Sequence, residues 1–290
     1  MATLYTLEND YLKLQISSTG AAIHQLLYKP KNFHILRQGS FKSANESGLF
    51  PMAPMANRVK GNNFVYEQQD FCLPHHKFDN DYFLHGDAWI NEWQTEKWRS
   101  HTNSLTLTME SNVYKCCSYQ ANLTYTLEKN RLLVSLSITN LTYTPFPFGG
   151  GFHPFFNTIE GSKVQFDAAG IWLEGDNYLP TKYVTNIPKH YDFTTQKKIP
   201  DIWINNGYLS PKNCNVSIIH PNGIKLTMTS PMKYLQVYQP NNRSGFICIE
   251  PQSHWVGAHH HVKCDSLVRL EGGETLEMQM TIMVDLNGRA

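Results

Sequence analysis

The chain has 290 residues, enough for one large β domain or two smaller ones, and its 25 basic side chains nearly cancel its 24 acidic ones to leave a net charge of +1. That balance excludes the basic footprint of a nucleic-acid binder and the acidic tail of a solvating chain. No apolar run nears the roughly 20 residues of a membrane helix, so no membrane partner is expected. The first ten residues lack the basic start and apolar block of an export signal, which points to a cytoplasmic protein. The six cysteines (72, 116, 117, 214, 248 and 264) contain no C-x-x-C pair and read as reduced thiols.

In chain order, Leu12 to Ile16 alternates apolar and polar residues, 17–20 is a turn cluster, and Ala21 to Tyr28 resumes a strand. Residues 37 to 62 read as irregular, because Pro51 and Pro54 argue against a regular helix or a central strand. Phe64 to Tyr66 is a short strand, and Pro74 to Gly86 is irregular again. Beyond Trp89 the alternation is plain: Leu105 to Met109, Leu123 to Leu127 and Leu132 to Ile138, the last two joined as a hairpin. Short strands are expected again at Val164–Phe166, Ile218–Ile219, Ile224–Met228, Tyr234–Tyr238, Phe246–Ile249 and Leu276–Val284. No dozen-residue window carries a helical apolar stripe. The expectation is an all-β fold, a large β-sandwich, in one domain spanning 1–290, since no repeat, linker or composition shift divides the chain.

Chemistry concentrates at five places. The segment Phe148 to Asn157 sets His153 between three glycines and a Pro-Phe-Phe wall. It reads either as a glycine-rich bend with a hydrogen-bonded histidine or as a platform for a flat-faced ligand such as a sugar. Asn57-Arg58 follows a proline-broken run and offers fixed donors for hydroxyls. His85 precedes Gly86 at a loop end, and Asp201 sits beside Trp203 just after Pro200. Glu250 closes the apolar run Phe246 to Ile249; there a carboxylate is either salt-bridged or buried, and burial would raise its pKa and suit it to general-base work. The run His259 to His261, with His254 and Cys264 nearby, matches no structural zinc spacing. No H-E-x-x-H, phosphate-loop, dinucleotide or G-x-S-x-G pattern occurs, so neither a metal nor an organic cofactor is expected.

In their order along the chain, Asn57-Arg58, Leu84-His85-Gly86, Gly151 to Phe156, Asp201 and Ile249-Glu250-Pro251 resemble the aldose 1-epimerase (galactose mutarotase) family, over roughly residues 10 to 285. The resemblance implies a β-sandwich of the galactose mutarotase type with its site in a cleft on one sheet, and an aldose as the small-molecule partner. It implies Glu250 as the base that takes the anomeric hydroxyl proton and His153 as the acid that protonates the ring oxygen. It further implies His85 beside the ring oxygen, and Arg58, Asn57 and Asp201 as sugar-hydroxyl contacts. The glycines of 149–151 would then bring the strand close to the pyranose. Two segments depart from the family pattern: Pro200-Asp201-Ile202-Trp203 replaces the usual acidic pair before an aromatic, and 252–258 replaces a small-residue and acidic run. A hexose-6-phosphate epimerase would need converging cations, and Lys60, Lys77, Arg99 and Arg243 form no cluster in the sequence. A sugar-binding protein without catalysis is the alternative of a different class.

Overall fold

The computed structural model describes residues 2–285 except 42, 77, 80, 96–101, 114–115, 242–243 and 262–265. The described residues form strands and five three-residue 3-10 turns. None of their helices is long and apolar enough to cross a membrane.

Two large sheets carry the fold. The first runs, edge to edge, through Leu4–Glu8, Leu12–Ser17, Ile23–Tyr28, Leu49–Met52, Gly151–Asn157, Phe246–Gln252, Tyr234–Gln239, Ile204–Leu209, Gly170–Glu174 and Pro180–Val184. The second runs through Lys197–Lys198, Lys163–Phe166, Cys214–Ile219, Lys225–Ser230, Thr275–Val284, Arg131–Asn140, Cys117–Glu128 and Ser104–Val113. Alternation dictates which face is buried: along Cys117–Glu128 every second side chain, from Cys117 to Leu127, points inward. Inward residues of both sheets join in one buried apolar cluster, the packing of a sandwich. Phe166 of the second sheet meets Tyr208 of the first edge to face at 5.1 Å. Buried tyrosines that face the first sheet satisfy their hydroxyls: Tyr125 donates to the Ala21 carbonyl at 2.6 Å and Tyr119 to that of Ala53 at 3.2 Å.

Two of the stretches in which the structure departs from the sequence reading matter for the site. Leu49–Met52 is a strand inside the first sheet although it contains Pro51. Its contact with Ile23–Tyr28 is the single pair Ile23–Leu49. Beyond Leu49 it therefore behaves as an edge on that side, where a missing N–H is tolerated. The strands Gly170–Glu174, Pro180–Val184 and Ile204–Leu209 also lack any apolar alternation that would announce them.

The three glycines are explained by the protein itself. A Cβ on Gly149 would lie 2.2 Å from Cδ2 of His254, one on Gly150 2.4 Å from the Met52 carbonyl oxygen, and one on Gly151 2.4 Å from that of Pro251. Their absent side chains let the flanking strands and His254 close in, and none of the three lines the cavity described below. This corrects the expectation that they carry the strand up to a sugar. Gly151→Ala is accordingly expected to destabilise the protein by about 1–3 kcal/mol as an overpacked position, lowering the Tm by roughly 2–10 °C. A variant that melts with the wild type in calorimetry would refute the steric account.

Candidate active site

His153 lies on Gly151–Asn157 and Glu250 on the neighbouring Phe246–Gln252. Gly151 pairs with Gln252 and Phe155 with Cys248, so the register sets His153 directly opposite Glu250. The ladder is interrupted between those two pairs, where Pro154 and Pro251 have no N–H to give. His153 Nε2 and Glu250 Oε1 lie 3.3 Å apart. Residues paired across strands share a face, so one lateral row runs from Phe50 through His153, Glu250, Gln236 and Gly207 to Trp172. Gly207 leaves that row open in its middle. Above the row is a cavity of about 310 Å³, lined by His153 and Glu250 together with Asn57, Arg58 and His85. That volume is at the lower end for small-molecule sites.

Both members of the pair are buried. The His153 ring packs in a cluster with the Phe155 ring, stacked at 4.5 Å, and the Phe50 ring at 4.6 Å, which themselves meet at 6.0 Å. Desolvation, and after it the charge of Arg37, pushes His153 down to about 3. Burial pushes Glu250 up to about 8, against the opposing effects of a hydrogen bond from Gln252 Nε2 at 3.0 Å and the charge of Arg58. The separation of 3.3 Å would also suit an ion pair. The loss of hydration at both groups favours the neutral arrangement, with one shared proton residing on Glu250.

His85 and Asn57 are fixed to each other. The Asn57 N–H donates to His85 Nδ1 at 3.1 Å, and the His85 N–H donates to the Asn57 carbonyl at 2.9 Å. His85 Nδ1 is thereby an acceptor, which puts the ring proton of the neutral imidazole on Nε2. Burial and the neighbouring His153 keep His85 well below the usual histidine range. Both residues hold left-handed backbone, φ 62° at Asn57 and φ 60° at His85. Such conformations concentrate where side-chain placement matters more than local ease. The His85 and His153 rings stand perpendicular to each other with centroids 5.0 Å apart. Arg58 donates from Nη1 to Asn57 Oδ1 at 3.1 Å, lies over the Tyr178 ring at 4.9 Å, and has no carboxylate partner among the described residues. Arg58 lines the cavity, with its Nε buried and without a hydrogen bond.

Sequence reasoning missed the far wall. Glu174 accepts from Trp203 Nε1 at 2.6 Å and from Asn205 Nδ2 at 2.7 Å, and Asn205 Oδ1 accepts from Gln236 Nε2 at 2.7 Å. A carboxylate only accepts, so it fixes the Asn205 amide, which in turn fixes that of Gln236. The end of the relay is Gln236 Oε1, buried and without a hydrogen bond. Asp201 is elsewhere. It lines a separate cavity of about 400 Å³ with Lys198, Gln239 and Phe246, and it is not part of the His153–Glu250 site. The sequence signal for the residues that take its expected place was only that Asn205 stands two residues past Trp203.

Lys60 does not line the site cavity, and Lys77, Arg99 and Arg243 fall outside the described residues. The His259–His261 run is not a strand, since Ala258–His260 is a 3-10 turn, and Cys264 also lies outside the described residues. His254 is structural: its Nε2 accepts from the Ala56 N–H at 3.0 Å. Donor atoms of His153, Cys248 and Glu250 lie within 4.8 Å of one another. A dication among them would face the fixed charges of Arg37 and Arg58, and burial keeps the Cys248 thiol protonated, so proton transfer suits the group better than metal binding.

The aldose 1-epimerase family model matches residues 3–283. The uncharacterized protein YphB of Escherichia coli (strain K12) is 32% identical over 294 residues, covering 98% of this chain and 99% of that protein. Among solved structures, an Escherichia coli K12 protein assigned provisionally as an aldose 1-epimerase superposes with a TM-score of 0.91 at 30% identity, over 98% of this chain and 99% of that one. A galactose 1-epimerase from Lactobacillus acidophilus NCFM shares the fold, with a TM-score of 0.83 at 16% identity over 98% of this chain and 94% of that one. With the family model spanning nearly the whole length and a relative above 30% identity covering both chains, this protein belongs to the aldose 1-epimerase family.

Proposed function

We propose that the protein is a cofactor-independent aldose 1-epimerase that interconverts the α and β anomers of a neutral hexose. The observation that carries this reading is the buried carboxyl–imidazole pair, Glu250 and His153, 3.3 Å apart and lining one cavity. Mutarotation must take a proton from O1 and deliver one to the ring oxygen. With Glu250 ionised and His153 protonated, the carboxylate removes the O1 proton, a C1–O1 π bond forms, and the C1–O5 bond breaks as His153 protonates O5. The open aldehyde then faces protonated Glu250 and neutral His153. That is the arrangement burial favours, so the site is complementary to the acyclic state. Rotation about C1–C2 presents the other face of the aldehyde, and the same two transfers run backwards. The proton count never changes, so no redox or covalent partner is required.

The cavity wall suits a neutral sugar. Arg58, Asn57 and the Nε2–H of His85 can donate to ring and hydroxyl oxygens, while Gln236 Oε1 lacks a donor that a sugar hydroxyl would supply. Arg58 is the sole cation among the lining residues, against the several a phosphate would call for. The test is a polarimetric panel on fresh α-D-glucose, α-D-galactose and glucose 6-phosphate. Acceleration on a free hexose supports the proposal, activity on the phosphate alone favours a sugar-phosphate epimerase, and binding without acceleration favours a non-catalytic sugar binder. Gln236→Ala is expected to lower kcat/KM about tenfold, the effect of one hydrogen bond of ~1.4 kcal/mol, chiefly through KM. An unchanged KM would remove Gln236 from the binding wall.

A further inference from the structure

Behind the catalytic pair lies a half-buried charge that the proton transfers do not use. Arg37 places its guanidinium 3.8 Å from the centroid of the Phe155 ring and 4.9 Å from that of Phe246. The Phe155 ring also stacks on His153 at 4.5 Å. Contact therefore passes from Arg37 through Phe155 to His153, while Phe50 packs against both His153 and Phe155, at 4.6 and 6.0 Å, and stacks on Trp89 at 4.9 Å. Arg37 is held rigidly. Its Nε donates to the Ser47 carbonyl at 3.0 Å, its Nη2 to that of Asn45 at 2.8 Å, and its backbone N–H to the Phe155 carbonyl at 2.8 Å. Among the described residues it forms no ion pair with a carboxylate. An inward guanidinium without a counter-ion is costly, and two carbonyl oxygens only partly offset that cost. Its hydrogen-bond partners are neutral and Glu46 only partly offsets its charge, so its field reaches past Phe155 to the imidazole.

We propose that Arg37 is a positioning residue for His153: its fixed charge behind Phe155 disfavours the imidazolium and so makes His153, once protonated, a stronger acid toward the sugar ring oxygen. The other groups facing His153 are Glu250 beside it, Cys248 two residues before Glu250 on the same strand, His85 perpendicular to it, and Arg58 beyond. Phe50 packs on it as well, with an uncharged ring. Glu250 pulls toward the imidazolium, and the two arginines push away from it. Arg58 does so from the substrate side, where a bound sugar screens it, whereas Arg37 acts from the protein side in every state of the reaction. The role of this push in catalysis rests on the mutarotase reading; the push itself does not.

The test is therefore read twice, by NMR titration of the His153 imidazole without substrate and by the pH profile of mutarotation. In Arg37→Gln, which keeps hydrogen-bond donors and loses the charge, the His153 midpoint is expected to rise by about one pH unit, the scale of one charge across a single ring. The low-pH limb of the activity profile should move with it. Arg37→Lys, which keeps the charge, should titrate with the wild type. Equal midpoints in wild type and Arg37→Gln overturn the proposal, as does an Arg37→Lys shift as large as that of Arg37→Gln, which would make the role one of packing. If Arg37→Gln does not fold, a wild-type His153 that titrates near the ordinary histidine value overturns it without any variant. A normal His153 shift with no mutarotation at all would instead sink the enzymatic reading and leave the electrostatic one standing.

Discussion

Glu250→Gln is expected to slow catalysed mutarotation about 10³-fold while leaving the fold and sugar binding in place, within the range a positioned acid–base group supplies. Glutamine keeps the shape of the carboxyl and can still accept from Gln252 Nε2, the hydrogen bond that orients the side chain. It cannot take the O1 proton. His153 cannot replace it, because one group must accept at O1 while the other donates at O5. His153→Asn is expected to cost about as much, and the double variant little more than either single one, since the two residues handle a single proton as a unit. Polarimetry of the three variants against the spontaneous rate tests the assignment. Full activity in Glu250→Gln would show that the carboxyl is not the base, and additive losses would show that the two act independently.

The sequence made parts of this architecture legible for a physical reason. Strands such as Cys117–Glu128 and Thr275–Val284 have one face in the core, and a period-two pattern is what that environment selects. Strands at the site obey a different constraint. Gly151–Asn157 is buried or nearly so along its whole length, and its neighbour Leu49–Met52 is buried throughout, so neither alternates. Ile204–Leu209 turns Asn205 and Gly207 toward the cleft, and its Asn-Asn-Gly core imitates a turn. The strands that build the polar cleft were thus the ones hidden from a hydrophobic pattern, because the cleft face must be polar where a core face would be apolar.

The same logic divides the site residues. Glu250 was visible because a carboxylate closing an apolar run is conspicuous, and His153 because glycines and aromatics flank it. Their facing arrangement was not readable, since nearly a hundred residues separate them and only the register aligns them. Arg58, Asn57 and His85 converge although the intervening loops carry no periodic signal. Asp201 drew notice by its nearness to Trp203, yet Asn205, Gln236 and Glu174 occupy the wall. An uncharged amide relay anchored by one carboxylate has no linear signature. Its three members come from three strands, and amides are too common in loops to stand out.

Glu250→Gln is also expected to stabilise the protein, by an amount that grows with pH. The native carboxyl is held at about 8 by burial, against 4.5 for an unperturbed group. Below 4.5 both folded and unfolded chains carry the proton and the group has no net effect. Between the two values the unfolded chain ionises and the folded chain does not, so the native state binds more protons and stability falls as pH rises. Above about 8 the loss is complete, because the folded chain must then bury a carboxylate. The difference in pKa corresponds to a loss on the order of 4 kcal/mol. Glutamine escapes this loss, so the Tm gain over wild type should be small near pH 4.5 and reach roughly 5–10 °C above pH 8. His153 contributes the opposite slope at lower pH: held at about 3, it favours the folded chain more as pH rises from there toward 6.5, in wild type and variant alike. The diagnostic is therefore the Tm difference between the two proteins followed from pH 4 to 9, in which the shared histidine slope largely cancels. A flat difference would mean that Glu250 ionises as an ordinary carboxylate in the folded state and lacks the proton affinity that the return step, reprotonation of O1, requires. A rising difference, in a variant that has also lost catalysis, would identify the buried carboxyl as a group retained at the expense of stability because the reaction needs its proton.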